Sequence, residues 1–461
     1  VSDQVLTPAV STPARTTIGR RVTLDSIWIL AGYAVTSASG FVFWVVAARI
    51  IPPGKLGVDT AIFSIFTAAA QVAASGIGDA LLVMLPGLRR WRRPLYRVGV
   101  LTAVLVATAA GVVAGVLVVR FVDPAAPAWS VVLGVTLSSV VWTLFVLKDP
   151  VLTSLGGARL NLTMNGPVNL AKLALIPVLV ALVGAVGNPV LVAAVLPAAG
   201  ALVVAYGILI PRRMRTFVPV VGNAAEPGPE VAPASTDEER PFRRFAAFAG
   251  RVGVANGLYL GGVLIMPFLV TTVAGSAQGA LFALCFQIGQ VLDLVVIAIG
   301  TSMATHASTN RSEAGALAFR TWLAVVTIVG LGVVALVALA PFVLGLLGHY
   351  YVAAGGVAVL STLAIGSVLR TAYEVWGSMQ RSLHRTTAVL VVSASSTVVL
   401  VPVAILCIGA WGALGGAIAM VVTTVGLATV GFVGLLRARR APGTGRHSAV
   451  ASPAPIAGGA A

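Results

Sequence analysis

The chain has 461 residues, 58% of them hydrophobic and only 10% charged, with a mean hydropathy of +1.00. No soluble domain hides that much apolar surface, so the composition excludes a soluble globular protein. The formal net charge of +16 sits in short clusters without aromatic stacking platforms, which argues for membrane topology and against nucleic acid as a partner.

In chain order, residues 1–22 form a basic tail carrying Arg15, Arg20 and Arg21. Twelve apolar stretches follow in two sets of six, at roughly 26–48, 59–78, 98–119, 128–147, 167–185 and 189–210, then 252–273, 280–302, 320–342, 353–378, 387–407 and 412–436. Each approaches the about 20 residues of helix that cross a hydrocarbon core. Span one is too long for a cleaved signal and reads as a retained helix. Corresponding spans are separated by roughly 220–226 positions, a hydropathy repeat with little identity between the halves. Six spans per repeat put both halves in the same orientation, related by an axis along the membrane normal. The fold class expected is an all-α polytopic membrane protein, with about 12 transmembrane helices in two six-helix lobes around a central cavity.

The lobes are assigned to residues 23–210 and 248–437. Residues 211–247 (beginning PRRMRTF) read as a flexible cytoplasmic linker whose last part, running into PFRRFAAF at 241–248, could lie on the membrane surface as an amphipathic helix. Residues 438–461 read as a disordered cytoplasmic tail. With the N-terminal tail inside the cell, most of the 30 Lys and Arg fall in inner segments and only Arg49, Lys55 and Arg120 lie outside. This bias predicts a cytoplasmic-membrane protein with both termini in the cytoplasm. Cys285 and Cys407 both fall inside spans and the four histidines are scattered, so no disulfide framework, metal or cofactor site is expected. Neither a catalytic set nor a nucleotide-binding loop is found, and the chain reads as a secondary transporter, not an enzyme.

Polar groups at membrane depth are expensive and normally face a cavity or one another. In span five, Asn165, Asn169 and Lys172 recur at helical spacing. They read either as a cationic wall for a phosphate or sugar, or as a lysine snorkelling to the cytoplasmic interface. Arg251 and Asn256 open span seven, where an interfacial role is the alternative. Asp293 stands in the middle of span eight, preceded by Gln287 and Gln290. It either lines a cavity, where it titrates, pairs with a basic group or binds a cation, or holds helices together as a hydrogen-bond node. Arg370 and Glu374 form an i,i+4 pair near the cytoplasmic end of span ten, read as self-neutralising or as a gate or substrate contact. Asp79 is intramembrane if span two runs on to Pro86, and Arg49 reads as an interfacial anchor.

Span one, its loop and span two read WVVAARIIPPGKLGVDTAIFSIFTAAAQVAASGIGDALL. Ala48-Arg49, Pro52-Pro53, Gly57 and Gly76-Ile77-Gly78 resemble the opening of the polysaccharide-export flippases of the multidrug/oligosaccharidyl-lipid/polysaccharide superfamily. Met266-Pro267, Ala280 to Ala283 and Gly348-His349-Tyr350-Tyr351 answer the short motifs of that family's second half. The resemblance implies an alternating-access flippase that moves a polyprenyl-(pyro)phosphate-linked oligosaccharide to the outer leaflet for cell-surface polysaccharide. Its partners would be the lipid-linked oligosaccharide, membrane lipids, and a polysaccharide polymerase and glycosyltransferases. It makes Lys172, Arg251 and Arg370 the phosphate-binding candidates and Asp293 the proton or sodium coupling candidate. A drug/cation antiporter of the same superfamily and a major-facilitator-type transporter are the alternatives. The loop LPGLRRWRRPLY is basic like the latter's but lacks the Asp its motif carries. A membrane glycosyltransferase would need a large outer loop, and every outer loop here is short.

Overall fold

Hydrocarbon offers no water to unpaired backbone groups, so an apolar segment at that depth closes its own hydrogen bonds as helix. The computed structural model describes residues 37–88, 90–183, 187–217, 241–309, 314–382 and 386–440, and every regular element among them is helical. The N-terminal tail, the start of span one, the middle of the linker and residues 441–461 lie outside the described residues.

The first six spans are α1 (Ser37–Ile50), α2 (Pro53–Met84), α3 (Arg92–Phe121), α4 (Ala128–Ser154), α5 (Ala158–Val183) and α6 (Pro189–Val204). The last continues through a π-helical turn at Ala205–Leu209 into α7 (Ile210–Thr216). The second six begin with α8 (Pro241–Leu264), bent by 40° into α9 (Met266–Ala274). They continue as α10 (Ser276–Thr309), α11 (Ala314–Leu347), the short α12 (His349–Ala353), α13 (Gly356–Ser382) and α14 (Thr386–Arg440).

Eight of these helices are long and apolar enough to cross a membrane, and the bent α8–α9 pair makes a ninth. α14 has 55 residues and breaks at Gly412 (φ 57, ψ −133). At 1.5 Å per residue it would measure about 80 Å, far beyond a core of about 30 Å, so it supplies the last two spans. Only glycine adopts the φ at the break readily. The Gln278 side chain of α10 accepts a hydrogen bond from the Ala413 N–H at 3.2 Å, satisfying a donor that the break leaves without an intrahelical partner. α1 and α10 match the first and eighth spans, and the chain is a multi-pass membrane protein.

Both flanks of the expected linker are helical. Residues 211–216 extend span six, and PFRRFAAF forms the first turns of α8 instead of a separate surface helix. The reason is packing. Phe245 is buried among Ile77, Leu81, Leu85 and Leu95 of the first lobe, and Phe242 meets Trp91 edge-on at 5.5 Å. At the chain's other end α14 runs three residues into the segment expected to be a tail.

Lipid solvates apolar side chains as well as another helix does, so association in the bilayer rests on close packing. α2 packs on α3 and α4 of its own lobe and on α8, α9 and α10 of the other. Small residues let the backbones meet. A Cβ on Gly57 would collide with the Ser276 backbone, and one on Gly76 with Gly253 and the Ala249 carbonyl. Gly76→Val should therefore lower stability by about 1–3 kcal/mol, whereas Gly200→Val, in open space, should stay within about 0.5 kcal/mol. Thermal melts in detergent check this, and equal midpoints would remove the contact from the account.

The ends of α2, α4 and α13 and the starts of α3, α5 and α14 gather at one end of the bundle, with the basic clusters around Arg90–Arg97, Arg159, Arg212–Arg215 and Arg437–Arg440. This is the basic end. The far end carries Arg49, Lys55, Arg120 and the turns at Gly187, Gly275 and Gly348.

Candidate functional site

The second lobe holds an ion triad near the middle of the bundle. Asp293 lies halfway along α10, and Arg370 lies 14 residues into α13, about 21 Å from its start. Arg370 Nη1 donates to Asp293 Oδ2 at 2.8 Å and its Nε donates to Glu374 Oε1 at 3.3 Å. The three side chains are 13–19% exposed, and the guanidinium stands 5.3 Å from the Tyr259 ring centroid. Gln290, Asp293, Ser367, Arg370 and Thr424 give a small cavity its polar lining, with Met420 beside them. Asp293 Oδ1 is buried and, among the described residues, has no hydrogen-bond partner within ordinary distance.

Two sequence candidates thus become one site. The Arg370–Glu374 pair exists, but the shorter bond goes to Asp293, and Arg370 sits mid-helix instead of near an end. Gln290 lines the cavity, while Gln287, almost one turn earlier, does not. Two carboxylates share one guanidinium, so the triad with all groups ionised carries one excess negative charge.

The first lobe has a cation of different character. α5 starts nine residues before the predicted span five, which moves Lys172 from the interface to about 21 Å inside its helix. Snorkelling is therefore replaced by aromatic contact. The ammonium lies 4.1 Å from the Phe43 ring centroid, 5.5 Å from Phe63 and 5.9 Å from Trp44. Such contact offsets part of the desolvation cost of a buried cation. Among the described residues no carboxylate pairs with Lys172. The rings belong to a continuous array in which Phe63, Phe66, Trp142 and Phe145 follow edge-on or tilted.

At the other end of that array stands Lys148, fully buried, 3.7 Å from the Phe145 centroid. Its Nζ donates to Asp149 Oδ1 and to Asn165 Oδ1, each at 2.7 Å, and Asn165 Nδ2 donates to Asp149 Oδ2 at 3.3 Å. Asn165 is thus held by a neighbouring pair, and although it shares a helix face with Asn169 and Lys172 its partners are not those of Lys172. Asn169, half-buried one turn before Lys172, makes no side-chain hydrogen bond among the described residues. Sequence reasoning missed Lys148 and Asp149 as a site. The repeat offered the signal, because Lys148 precedes Arg370 by 222 positions, inside the offset separating the spans.

Sequence reasoning also missed Asp59 and Lys55. Asp59 is fully buried in the second turn of α2, and Lys55 Nζ donates to its Oδ1 at 2.6 Å and to the Gly187 carbonyl. Asp79 proves to be inside α2, which runs on to Met84, and Asn256 Nδ2 donates to its Oδ2 at 3.3 Å across the lobes. Arg251 is exposed on α8, and the structure joins it neither to Lys172 nor to Arg370. Arg49, expected as an interfacial anchor, instead reaches the other lobe, donating to the Leu346 and Gly345 carbonyls at 2.7 and 2.9 Å.

This arrangement of helices also occurs in solved structures. It is similar to an inward-facing multidrug resistance MATE family transporter of the MOP superfamily, with a TM-score of 0.62 and 17% identity over 90% of this chain and 98% of that one. It is also similar to the lipid II flippase MurJ in an inward closed conformation, with a TM-score of 0.66 and 11% identity over 90% and 87% of the two chains. A third match is a MOP superfamily transporter from Pyrococcus furiosus described as having a binding pocket of reverse polarity that suggests a different function, with a TM-score of 0.60 and 16% identity over 90% and 94%. No protein-family model and no curated protein sequence matches the chain.

Proposed function

We propose that this chain is an alternating-access flippase that moves a polyprenyl-(pyro)phosphate-linked oligosaccharide across the cytoplasmic membrane for cell-surface polysaccharide synthesis. The observation that carries the reading is Lys172, an ammonium at mid-helix depth with rings around it and, among the described residues, no carboxylate beside it. An intramembrane cation is costly wherever nothing uses it. An anionic head group would replace the aromatic contacts by charge-assisted hydrogen bonds, while a cationic drug would be repelled. Asn169 stands one turn away to contact sugar or phosphate oxygens, and Arg251 would meet the head group at the basic end. The lipid tail would stay in the bilayer, since only the polar head needs a route through hydrocarbon.

In this reading Asp293, with Arg370 and Glu374, senses the coupling ion, both termini lie in the cytoplasm, and the polymerase and glycosyltransferases of the same polymer are the natural partners. The fold is shared by multidrug transporters and a lipid flippase alike, so it supports transport without choosing the cargo. One observation favours the alternative, a drug or cation antiporter: the excess negative charge of the Asp293–Arg370–Glu374 triad.

The test is mass spectrometry of lipid-linked glycans in cells depleted of this protein, with sidedness read by an impermeant glycan-modifying enzyme. The expected result is one polyprenyl-linked glycan accumulating on the cytoplasmic side. An unchanged pool together with organic-cation efflux that disappears in Asp293→Asn would overturn the flippase reading in favour of the antiporter.

A further inference from the structure

We propose that Arg49 is the latch of the gate at the far end of the bundle, holding the two lobes shut there. The inference rests on the alternating-access part of the reading above and is independent of the cargo. Arg49 ends α1, in the first lobe, and α11 ends at Leu347, in the second. The last carbonyls of a helix lack intrahelical donors and carry the negative end of its dipole. At the end of α11 the Gly348 N–H takes the Leu344 carbonyl at 3.0 Å. The next two carbonyls, Gly345 and Leu346, receive Nη2 and Nε of Arg49. A planar guanidinium presents two donors side by side, so one side chain satisfies both acceptors, which a lysine could not do in the same geometry.

The latch is not alone at that end. Gly57, eight residues on, has its Cα against the Ser276 backbone, and the Thr271 hydroxyl lies 3.4 Å from the Gly57 carbonyl. Both contacts also join the first lobe to the second. They press small surfaces together, whereas Arg49 supplies the two short polar bonds. Its side chain is exposed, so water can take over each bond when it breaks. A gate of this kind closes firmly and still opens without stranding a buried charge. Lys55 provides a contrast at the same end, because both its partners, Asp59 and the Gly187 carbonyl, belong to its own lobe.

The experiment measures the distance across the gate in the full chain, in lipid nanodiscs and without substrate. Spin labels are placed through Ala125→Cys, in the α3–α4 turn, and Ala353→Cys, in α12, both exposed positions at the far end. Cys285→Ser and Cys407→Ser form the background, and pulsed dipolar spectroscopy reads the distances. Arg49→Ala is expected to populate a second, longer distance that is minor or absent in the parent. Lys55→Ala should leave the distribution as it was. Arg49→Lys, which keeps the charge and loses the paired donors, should fall between, and it serves as the reading if Arg49→Ala does not fold. An unchanged distribution in the Arg49 variants, or the same shift in Lys55→Ala, would overturn the latch.

Discussion

Arg370→Ala should be the most damaging single substitution in the second lobe, with a loss of about 3–5 kcal/mol of stability, the usual penalty for leaving a buried ion without its partner. Both Asp293 and Glu374 depend on the same guanidinium, at 2.8 and 3.3 Å. Removing it leaves two partly buried carboxylates that had shared it, each raising the cost of ionising the other. Arg370→Met combined with Asp293→Asn and Glu374→Gln removes all the charge while nearly keeping the volume. That triple variant should recover most of the stability and still be inactive. Thermal melts of the purified protein, read beside a transport assay, separate the two effects. If the triple variant is no more stable than Arg370→Ala, the triad is not where the destabilisation arises. If it transports normally, the triad has no part in coupling.

Lys172→Met should do the reverse, sparing the fold and removing transport. The substitution gives up cation–π contact worth about 0.5–2 kcal/mol and relieves the desolvation of an unpaired ammonium, so the net change in stability should be small. A charge-assisted hydrogen bond to phosphate is worth about 1.5–3 kcal/mol, which corresponds to a loss of roughly 10- to 150-fold in the rate for an anionic lipid-linked substrate. Lys172→Arg should retain part of the activity, limited by the fit of a larger cation among Phe43, Trp44 and Phe63. Normal rates in Lys172→Met at equal abundance would remove this residue from the site and, with it, the main support for an anionic cargo.

The two lobes handle buried charge in different ways, and the difference gives each a role. In the second lobe two carboxylates share one guanidinium within hydrogen-bond distance, and the one charge left over suits a small cation or proton tipping the balance. In the first lobe Lys148 is fully paired, but Lys172 is left to aromatic rings, whose quadrupoles are a weaker partner than a carboxylate. The incomplete compensation is what an incoming anion would complete.

Some of this was legible from residue order. Hydropathy period and length mark the twelve helices, because each must close its backbone hydrogen bonds alone and needs nothing from its neighbours to do so. The spacing of four between Arg370 and Glu374 is likewise a property of one helix. The mid-span position of Asp293 could be counted. Helix ends were harder to read. α5 begins nine residues early, and PFRRFAAF joins α8, because apolar stretches do not record how far a helix continues beyond the hydrocarbon or what it packs on.

What the sequence by itself determined is the class of molecule, a helical multi-pass membrane protein, and a short set of expensive polar residues at depth. Tertiary structure alone decided which of these residues meet. Arg370 finds Asp293 from 77 positions away, Asn165 turns to Lys148, Lys172 enters an aromatic cage built by α1 and α2, and Arg49 crosses to the other lobe. The physical reason is that the helices are apolar on nearly every face, so periodicity carries little information about rotation. Which face turns inward is settled by close packing of small residues such as Gly57 and Gly76, and by the need of each buried charge to find its partner.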